Sequence, residues 1–212
     1  PEAICNYLAL LGWSPGDDLE NITMKQLTEM FTVEKVHSSP ARFDMKKLEA
    51  INGDKIRALT LDDFLKWSLP FLTKADVITG TDAEIELVKK ALPIIQERII
   101  MLNEVPKMLK FLFTKNFAVE AESVSKITDD ASKEILKRSV KELETVSDWT
   151  HTNIEAVLRA SLIEEMALKP RIAFTALRIA TTGSTISPPL FESMELLGKE
   201  ACLLRINAGL AL

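Results

Sequence analysis

The sequence predicts a mainly α-helical protein, and three observations carry that prediction. Apolar residues recur every three or four positions along most of the chain, which is the spacing of one helix face. Helix-start signals, in which a Ser, Thr or Asp stands just before an apolar run, recur as well. Candidate strands are scarce, and the one candidate lies around 33–36 or 42–43. We therefore expect an all-α protein in two packed units.

Start and stop signals divide the first seventy residues into short helices. Pro1 suits the first turn of a helix, and Gly12 can end it. The predicted apolar face of that helix is formed by Ile4, Tyr7, Leu8 and Leu11. The later starts are signalled by Thr23 with Gln26, by Asp44, and by Thr60 with Asp63, and the expected breaks are the turn at 14–17, the segment Ser38-Ser39-Pro40, and Pro70.

Residues 71–80 are interpreted as a linker between two units, 1–70 and 81–212, because several Thr and Gly80 lie between Pro70 and a run of longer helices. Thr81 with Glu84 predicts a capping box that opens a helix as far as Leu102. The expected kink is at Pro93 and the expected end or bend at Pro106. The remaining start signals are Thr128 before Asp129, Thr152 with Glu155, Pro170, and Pro188, and the stop signals are Gly183 and Gly198.

Composition excludes some classes of protein. The 212 residues include 26 basic and 31 acidic side chains, a net charge of −5, which disfavours non-specific coating of nucleic acid. No stretch approaches the roughly 18 unbroken apolar residues of a membrane-spanning helix. The start at Pro1, without a leader, leads us to expect a processed piece of a longer protein. Cys5 and Cys202 stand alone, so we expect buried free thiols and a cytoplasmic location.

Motifs for bond-making chemistry do not stand out. Neither His37 nor His151 has a Ser, Cys or carboxylate at a spacing that suggests a triad or a metal site. The seven glycines form no phosphate-binding loop, and no zinc pattern is present. Paired carboxylates are typical of solvated helix faces. We expect no catalytic residue, no metal ligand and no cofactor in this chain.

The charge is distributed unevenly along the chain. Residues 105–119 contain no acid but hold Lys107, Lys110 and Lys115. Residues 166–191 contain no acid but hold Lys169, Arg171 and Arg178. Two basic windows in an acidic protein suit an anionic partner that binds at a defined site. Windows of this kind also arise by chance in helical proteins, and charge alone leaves both explanations open.

Five segments of the chain carry specific letters in a fixed order and spacing. They are NYLALLGWS at 6–14, ARFDMKKL at 41–48, LKPRIAFTALRIATTG at 168–183, SPPLFE at 187–192 and LLGKE at 196–200. These segments resemble the C-terminal half of bacterial-type glutamyl-tRNA synthetases. The resemblance implies a small, mostly helical stem-contact region at 1–70 and an all-helical anticodon-binding domain, a helical bundle or cage, at 81–212, with the catalytic Rossmann domain absent. It also implies that ATP and Mg²⁺ bind elsewhere in the parent enzyme, and that this chain alone is inactive.

The same resemblance implies roles for single residues. Arg178 matches the arginine that reads an anticodon base, and a guanidinium suits this role because it offers a fork of donors and a flat stacking face. Ser187, Pro188 and Leu190 match a loop that packs an apolar shelf against anticodon bases. Arg98 is a candidate for a second anticodon-facing arginine. From the residues alone, pairing of Arg178 with a structural carboxylate stays open.

The implied partner is tRNA(Glu), and tRNA(Gln) is a second possibility. We expect no DNA partner, no membrane contact and a monomer. A different class of function stays open, a helical protein–protein scaffold, which would show an exposed apolar stripe in place of the two basic windows. The candidate contacts to the tRNA backbone are Lys46, Lys47, Arg57, Lys107, Lys110, Lys169 and Arg171. For the cations of 46–57, Lys55 included, a solvated helix face is an equally good explanation.

Overall fold

The computed structural model describes residues 1–16, 19–37 and 42–212, and helices dominate these ranges, which confirms the mainly α prediction. Extended pairing in the described ranges is limited to one antiparallel bridge between Trp13 and Val36. The strand candidate at 33–36 is instead mainly one turn of 3-10 helix, Val33–Lys35. Asp17 of the predicted turn, the predicted break Ser38–Pro40, and Ala41 lie outside the described residues.

The first helix, α1 (Glu2–Leu10), follows Pro1 as predicted but buries a different face. Ile4 and Leu8 are 52% and 53% exposed, so this part of the predicted face is wrong. The buried side chains are those of Ala3, Asn6 and Tyr7. Asn6 fixes the orientation because its side chain accepts a hydrogen bond from Ile22 N at 2.8 Å and donates one to Glu20 O at 2.9 Å.

The predicted caps of the next three helices are confirmed. Thr23 and Gln26 form a reciprocal capping box, and Asp44 accepts hydrogen bonds from Lys46 N and Lys47 N. Thr60 accepts a hydrogen bond from Asp63 N. The three helices are α2 (Met24–Met30), α3 (Met45–Arg57) and α4 (Leu61–Lys74).

Helix α4 continues past Pro70, where the sequence predicted its end. Pro70 has no N–H to donate within the helix, and the last turn persists because it buries Leu72 completely. Phe64 and Leu72 of α4 share one hydrophobic cluster with Val88, Leu92 and Leu109. Residues on both sides of the predicted linker at 71–80 therefore pack in one core. The division into 1–70, 71–80 and 81–212 stays a prediction.

The predicted helix from Thr81 to Leu102 is divided into shorter pieces. The capping box of Thr81 and Glu84 is confirmed. Pro93 begins a separate short helix. Pro106 lies in the first turn of the next α-helix, where a missing N–H costs nothing. The prediction that Pro106 ends or bends a helix is therefore wrong. The helices here are α5 (Asp82–Ala91), α6 (Pro93–Gln96), α7 (Val105–Phe113) and α8 (Ala121–Val124).

The last part of the described chain contains the larger core. The cap of α9 is Asp129, one residue after the predicted start signal Thr128. The cap of α10 is Thr150, which accepts a hydrogen bond from Asn153 N, and not Thr152. Pro170 begins α11, and Gly183 ends it in the left-handed conformation with φ of 86°. The elements are α9 (Asp130–Thr145), α10 (His151–Leu158), the π-helix Arg159–Glu165, α11 (Pro170–Thr182), α12 (Leu190–Leu197) and α13 (Lys199–Leu210).

Helices α9, α11 and α13 contact one another pairwise and form the centre of this core. Leu136, Leu177 and Ile206 are fully buried there. Both cysteines are free, but only Cys202 is buried, so the prediction is wrong for Cys5. Burial raises the pKa of the Cys202 thiol to about 12. None of the helices described is long and apolar enough to cross a membrane.

The Glu84 carboxylate makes the capping box of α5 sensitive to acid. It accepts hydrogen bonds from the backbone N–H groups of Thr81 (2.9 Å), Thr79 (3.0 Å) and Gly80 (2.9 Å). These hydrogen bonds, above all the one from Thr81, lower the pKa of the Glu84 carboxyl from 4.5 to about 2. The stabilisation is therefore present above pH 4.5 and lost as pH falls towards about 2.

We expect Glu84→Gln to flatten the pH dependence of the free energy of unfolding between about pH 4.5 and 2, because a neutral amide does not titrate. Urea unfolding at a series of pH values measures the slope. Glu86→Gln is the matched control, since Glu86 lies on the same helix outside this set of hydrogen bonds. An unchanged slope in Glu84→Gln would contradict the prediction.

Candidate nucleic-acid interface

A cleft of about 210 Å³ lies between α7 and the loop that joins α11 to α12. We call residues 183–189 the α11–α12 loop and this cavity the α7 cleft. One wall comes from 107–118 and the other from 182–187, with Glu120 also lining it. The two acid-free windows, 105–119 and 166–191, therefore meet here although they lie far apart in the sequence. The lining residues include Lys107, Lys110, Thr114, Phe117, Gly183 and Ser187.

Gly183 sets the start of the α11–α12 loop. A Cβ atom at this position would lie 3.2 Å from Ala118 O and 3.3 Å from Phe117 Cε2. The positive φ and the close approach together require glycine. Glu120 N donates a hydrogen bond to Gly183 O at 2.9 Å. The loop is thus fixed against the segment that follows α7.

Arg178 connects α11 to the end of the α11–α12 loop. Its Nη1 donates hydrogen bonds to Ser187 Oγ and to Pro188 O, each at 2.7 Å. Among the described residues, the Arg178 guanidinium makes no ion pair. The alternative in which Arg178 pairs with a structural carboxylate is therefore not observed there. Its Nε and Nη2 make no hydrogen bond to the described part of the chain. These two groups of donors are therefore unused within the described residues.

The charge around Arg178 favours an anion. Burial lowers the pKa of Arg178, the nearby positive charge of Arg98 lowers it further, and Glu192 opposes both effects. Arg98 is exposed in the turn after α6. That turn is anchored by Gln96 Nε2, which donates to the carbonyl oxygens of Ile56 and Leu59 at 2.9 Å each. The two arginines that the resemblance assigned to the anticodon are thus close enough for the charge of one to affect the other.

The rest of the predicted reading segment is less accessible. Leu190 is 4% exposed and packs in the core of α9–α13, and Pro188 is also buried. Ser187 and Pro189 are half-buried. The predicted apolar shelf of Pro188 and Leu190 is therefore not a surface in this structure, and Ser187 is the predicted residue of this segment that lines the α7 cleft.

The predicted backbone contacts fall into two groups. Lys47 pairs with Glu20 at 2.6 Å, and Arg57 pairs with Asp54 at 2.5 Å, so both have partners within the protein. Lys46 is exposed at the start of α3. The others are exposed near the candidate site or on its helix: Lys107 and Lys110 in the α7 cleft, Lys169 just before α11, and Arg171 in its first turn.

Arg205 and Phe117 are part of this region and were missed by the sequence reasoning. Arg205, on α13, is only 7% exposed. It donates from Nη1 to Thr181 O at 2.8 Å and from Nη2 to Phe111 O at 2.9 Å, and its Cζ lies 4.0 Å from the centroid of the Phe117 ring. The available signal was a lone cation inside the apolar segment ACLLRINAGL.

Metal ligands do not cluster in the described ranges, where no group of three or more His, Cys, Asp or Glu side chains could hold an ion.

Together, the fold and the site define an all-helical domain with a cationic cleft formed at the ends of two helices. The chain belongs to the anticodon-binding domain family, whose model matches residues 55–210. Residues 1–50 match a second model, the catalytic domain of class I tRNA synthetases (E and Q). Part of the region that the resemblance assigned to stem contact therefore resembles the edge of a catalytic domain.

Relatives with similar sequences carry one name. A glutamate–tRNA ligase of Saccharopolyspora erythraea is 43% identical over 213 residues, covering 99% of this chain and 42% of that protein. One from an Arthrobacter species is 44% identical over 217 residues, covering 98% of this chain and 42% of that protein. The chain thus spans less than half the length of the curated relatives it matches, and it corresponds to their C-terminal part.

Solved structures share the fold. A glutamate tRNA ligase from Elizabethkingia meningosepticum, crystallised in complex with its amino acid, superimposes with a TM-score of 0.81 at 23% identity. The match covers 100% of this chain and 41% of that one. A glutamate-tRNA synthetase from Elizabethkingia anophelis gives a TM-score of 0.78 with the same coverage. The helical arrangement described above is therefore found in both solved structures.

Proposed function

We propose that this chain is the tRNA-binding C-terminal part of a glutamate–tRNA ligase. In this proposal the region 81–212 recognises the anticodon of tRNA(Glu), and part of 1–70 contacts the inner bend of the tRNA. The observation that supports it is that the two acid-free windows meet at the α7 cleft in a member of the anticodon-binding family. Arg178 and Arg98, which we call the arginine pair, lie beside this cleft.

The arginine pair supplies recognition in this proposal. Unstacked anticodon bases expose their edges and faces, and the free donors of Arg178 suit a base edge. Arg98 adds positive charge at the same place. Ser187 contributes a hydroxyl that already contacts Arg178, so the base and the loop would share one hydrogen-bonding network. Discrimination against tRNA(Gln) would depend on these few groups.

The lysines supply affinity that does not depend on sequence. Lys107 and Lys110 line the α7 cleft and suit the phosphates of the anticodon loop. Lys169 and Arg171 lie at the N-terminal end of α11, where a positive charge opposes the helix dipole. Helix stability therefore does not explain these two cations, whereas a phosphate partner does.

In this proposal, the residues that carry out the chemistry of the parent enzyme are not in this chain. The parent would join glutamate to tRNA using ATP and Mg²⁺, and the described residues offer no carboxylate or histidine cluster that fits a metal. We expect this chain alone to bind tRNA as a monomer in the cytoplasm without charging it. An assay of ATP–pyrophosphate exchange by this chain should give no activity.

A protein–protein scaffold is the weaker alternative. It would require an exposed apolar stripe. Ile4 and Leu8 are exposed one turn apart on α1, but the most exposed apolar residues of 81–212 lie on different segments. Those of 81–212 are Met101, Ile172, Ile186, Leu204 and Leu212. A few separate apolar side chains are normal on a protein surface.

Salt-dependent binding tests the proposal. We expect filter binding to show tighter binding of tRNA(Glu) than of its anticodon-substituted variants, with affinity falling as salt rises. Replacing both Lys107 and Lys110 with Gln should reduce the slope of log affinity against log salt by about 1 to 2, since up to two phosphate contacts are lost, and should preserve the anticodon preference.

The matched control replaces Lys137 and Lys141 with Gln, because both are exposed on α9 and neither lines the cleft. This pair should leave slope and preference unchanged. Binding that neither falls with salt nor responds to the anticodon would reject the proposal. Equal affinity for tRNA(Glu) and tRNA(Gln) would assign the parent to the non-discriminating type.

A further inference from the structure

We infer that Arg205 is a positioning residue for anticodon recognition: its buried guanidinium fixes the ends of α7 and α11, and through them the α11–α12 loop. This inference rests on the proposed function, because its test measures anticodon discrimination. Arg205 is only 7% exposed and its Nη1 and Nη2 donate to backbone carbonyl groups, so any effect on recognition must pass through other residues.

The two hydrogen bonds of Arg205 end on helix termini. Phe111 lies in the last turn of α7, and Thr181 lies in the last turn of α11, where backbone carbonyl groups lack partners within the helix. Nη2 satisfies the first carbonyl at 2.9 Å and Nη1 the second at 2.8 Å. A positive charge is also favourable beside the negative ends of two helix dipoles. One side chain thus holds two helix ends together.

Arg205 is buried without an ion-pair partner. The described residues provide no carboxylate for it, and a buried charge without one is costly. An apolar side chain of similar size would fill the same space without burying a charge, but it would leave the carbonyl oxygens of Phe111 and Thr181 without these donors. The two donors, rather than the space that the side chain fills, therefore hold the two helix ends at a fixed distance.

Phe117 extends the same arrangement to the loop. Its ring stacks on the guanidinium at 4.0 Å. The same ring also lies close to Gly183, where a Cβ would lie 3.3 Å from Cε2. Gly183 begins the α11–α12 loop, and Ser187 in that loop bonds to Arg178. A continuous path of contacts therefore joins Arg205 to Arg178.

We expect Arg205→Met to reduce the ratio of affinities for tRNA(Glu) and an anticodon-substituted tRNA by about threefold to thirtyfold, the usual range for coupling of this kind. Methionine keeps much of the length and removes the donors. Arg205→Lys should recover part of the ratio, because an ammonium group can reach one of the two carbonyls. The affinity for the substituted tRNA should change little.

Three measurements distinguish positioning from loss of structure. Leu143→Ala, in the same core on α9, is the control for lost stability, since it should lower the melting temperature without changing the ratio. In the Arg178→Ala background, Arg205→Met should reduce the ratio of affinities little further, because Arg205 acts on recognition through the α11–α12 loop and Arg178. Phe117→Leu keeps both hydrogen bonds and should give a smaller loss of the ratio, and it serves if Arg205→Met does not fold.

The outcomes separate this inference from the proposed function. If the wild-type chain discriminates between the tRNAs and Arg205→Met and Phe117→Leu discriminate equally well, the inference is wrong and the proposed function stands. If the ratio falls equally in Leu143→Ala, Arg205 is merely structural and the inference is also wrong. If the wild-type chain does not discriminate, both proposals fail.

Discussion

Arg178→Ala is expected to weaken binding of tRNA(Glu) by about tenfold to a hundredfold and to remove most of the preference for its anticodon. Loss of an arginine that reads a base edge costs about 1–3 kcal/mol. The substitution also removes the hydrogen bonds to Ser187 Oγ and Pro188 O, so the α11–α12 loop loses its anchor. Both effects act on the tight-binding RNA more than on the weakly binding one.

Arg178→Lys separates charge from geometry. An ammonium group keeps the positive charge beside Arg98 but has no planar fork of donors. We expect this variant to keep the salt dependence of the wild-type chain and to lose most of the anticodon preference. Filter binding at two salt concentrations, with tRNA(Glu) and an anticodon-substituted tRNA, measures both quantities.

Arg159→Ala is the control for removing an arginine elsewhere. Arg159 is exposed, pairs with Glu155 at 2.5 Å and does not line the α7 cleft. It should leave the anticodon preference unchanged. A preference that survives in Arg178→Ala would show that Arg178 does not read the anticodon.

Helix starts were predictable because a cap involves residues that are close in sequence. Thr23, Asp44 and Thr81 each receive hydrogen bonds from backbone groups two or three positions later, and these contacts need no distant partner. Asn6 shows the limit of such reasoning. Its partners at 20 and 22 reorient α1 so that Ile4 and Leu8 face outwards, which periodicity alone does not indicate.

The candidate site was predictable only in part, for a similar reason. The two basic windows are visible in the sequence, but that they meet at one cleft depends on the packing of α7 against the α11–α12 loop. Arg205 has its second partner 94 positions earlier, at Phe111, and no local pattern reports such a contact. Leu190, which the resemblance assigned to recognition, lies in the core of α9–α13, and its role in recognition stays a prediction.

Phe64→Ala is expected to lower the free energy of unfolding by about 3–5 kcal/mol, the usual cost of removing a fully buried phenylalanine. Phe64 lies on α4 before the predicted linker, yet it packs with residues of α5 and α7 beyond the linker. The loss should therefore reach both sides of 71–80. Urea unfolding gives its size, and amide hydrogen exchange shows where it occurs.

Hydrogen exchange in α5 and α7 decides whether the linker separates two independent units. If it does, Phe64→Ala will accelerate exchange in α3 and α4 and leave α5 and α7 unchanged, which would contradict the expectation from packing. Leu196 of α12 packs against the same cluster, so a shared core should also transmit part of the loss to α12. Leu158→Ala, in the other core, is the matched control. It should lower the free energy of unfolding by about 2–5 kcal/mol and accelerate exchange mainly in α9–α13. Faster amide hydrogen exchange in α12 of Phe64→Ala would show that the stability of α12, the helix that follows the α11–α12 loop, depends on the N-terminal helices.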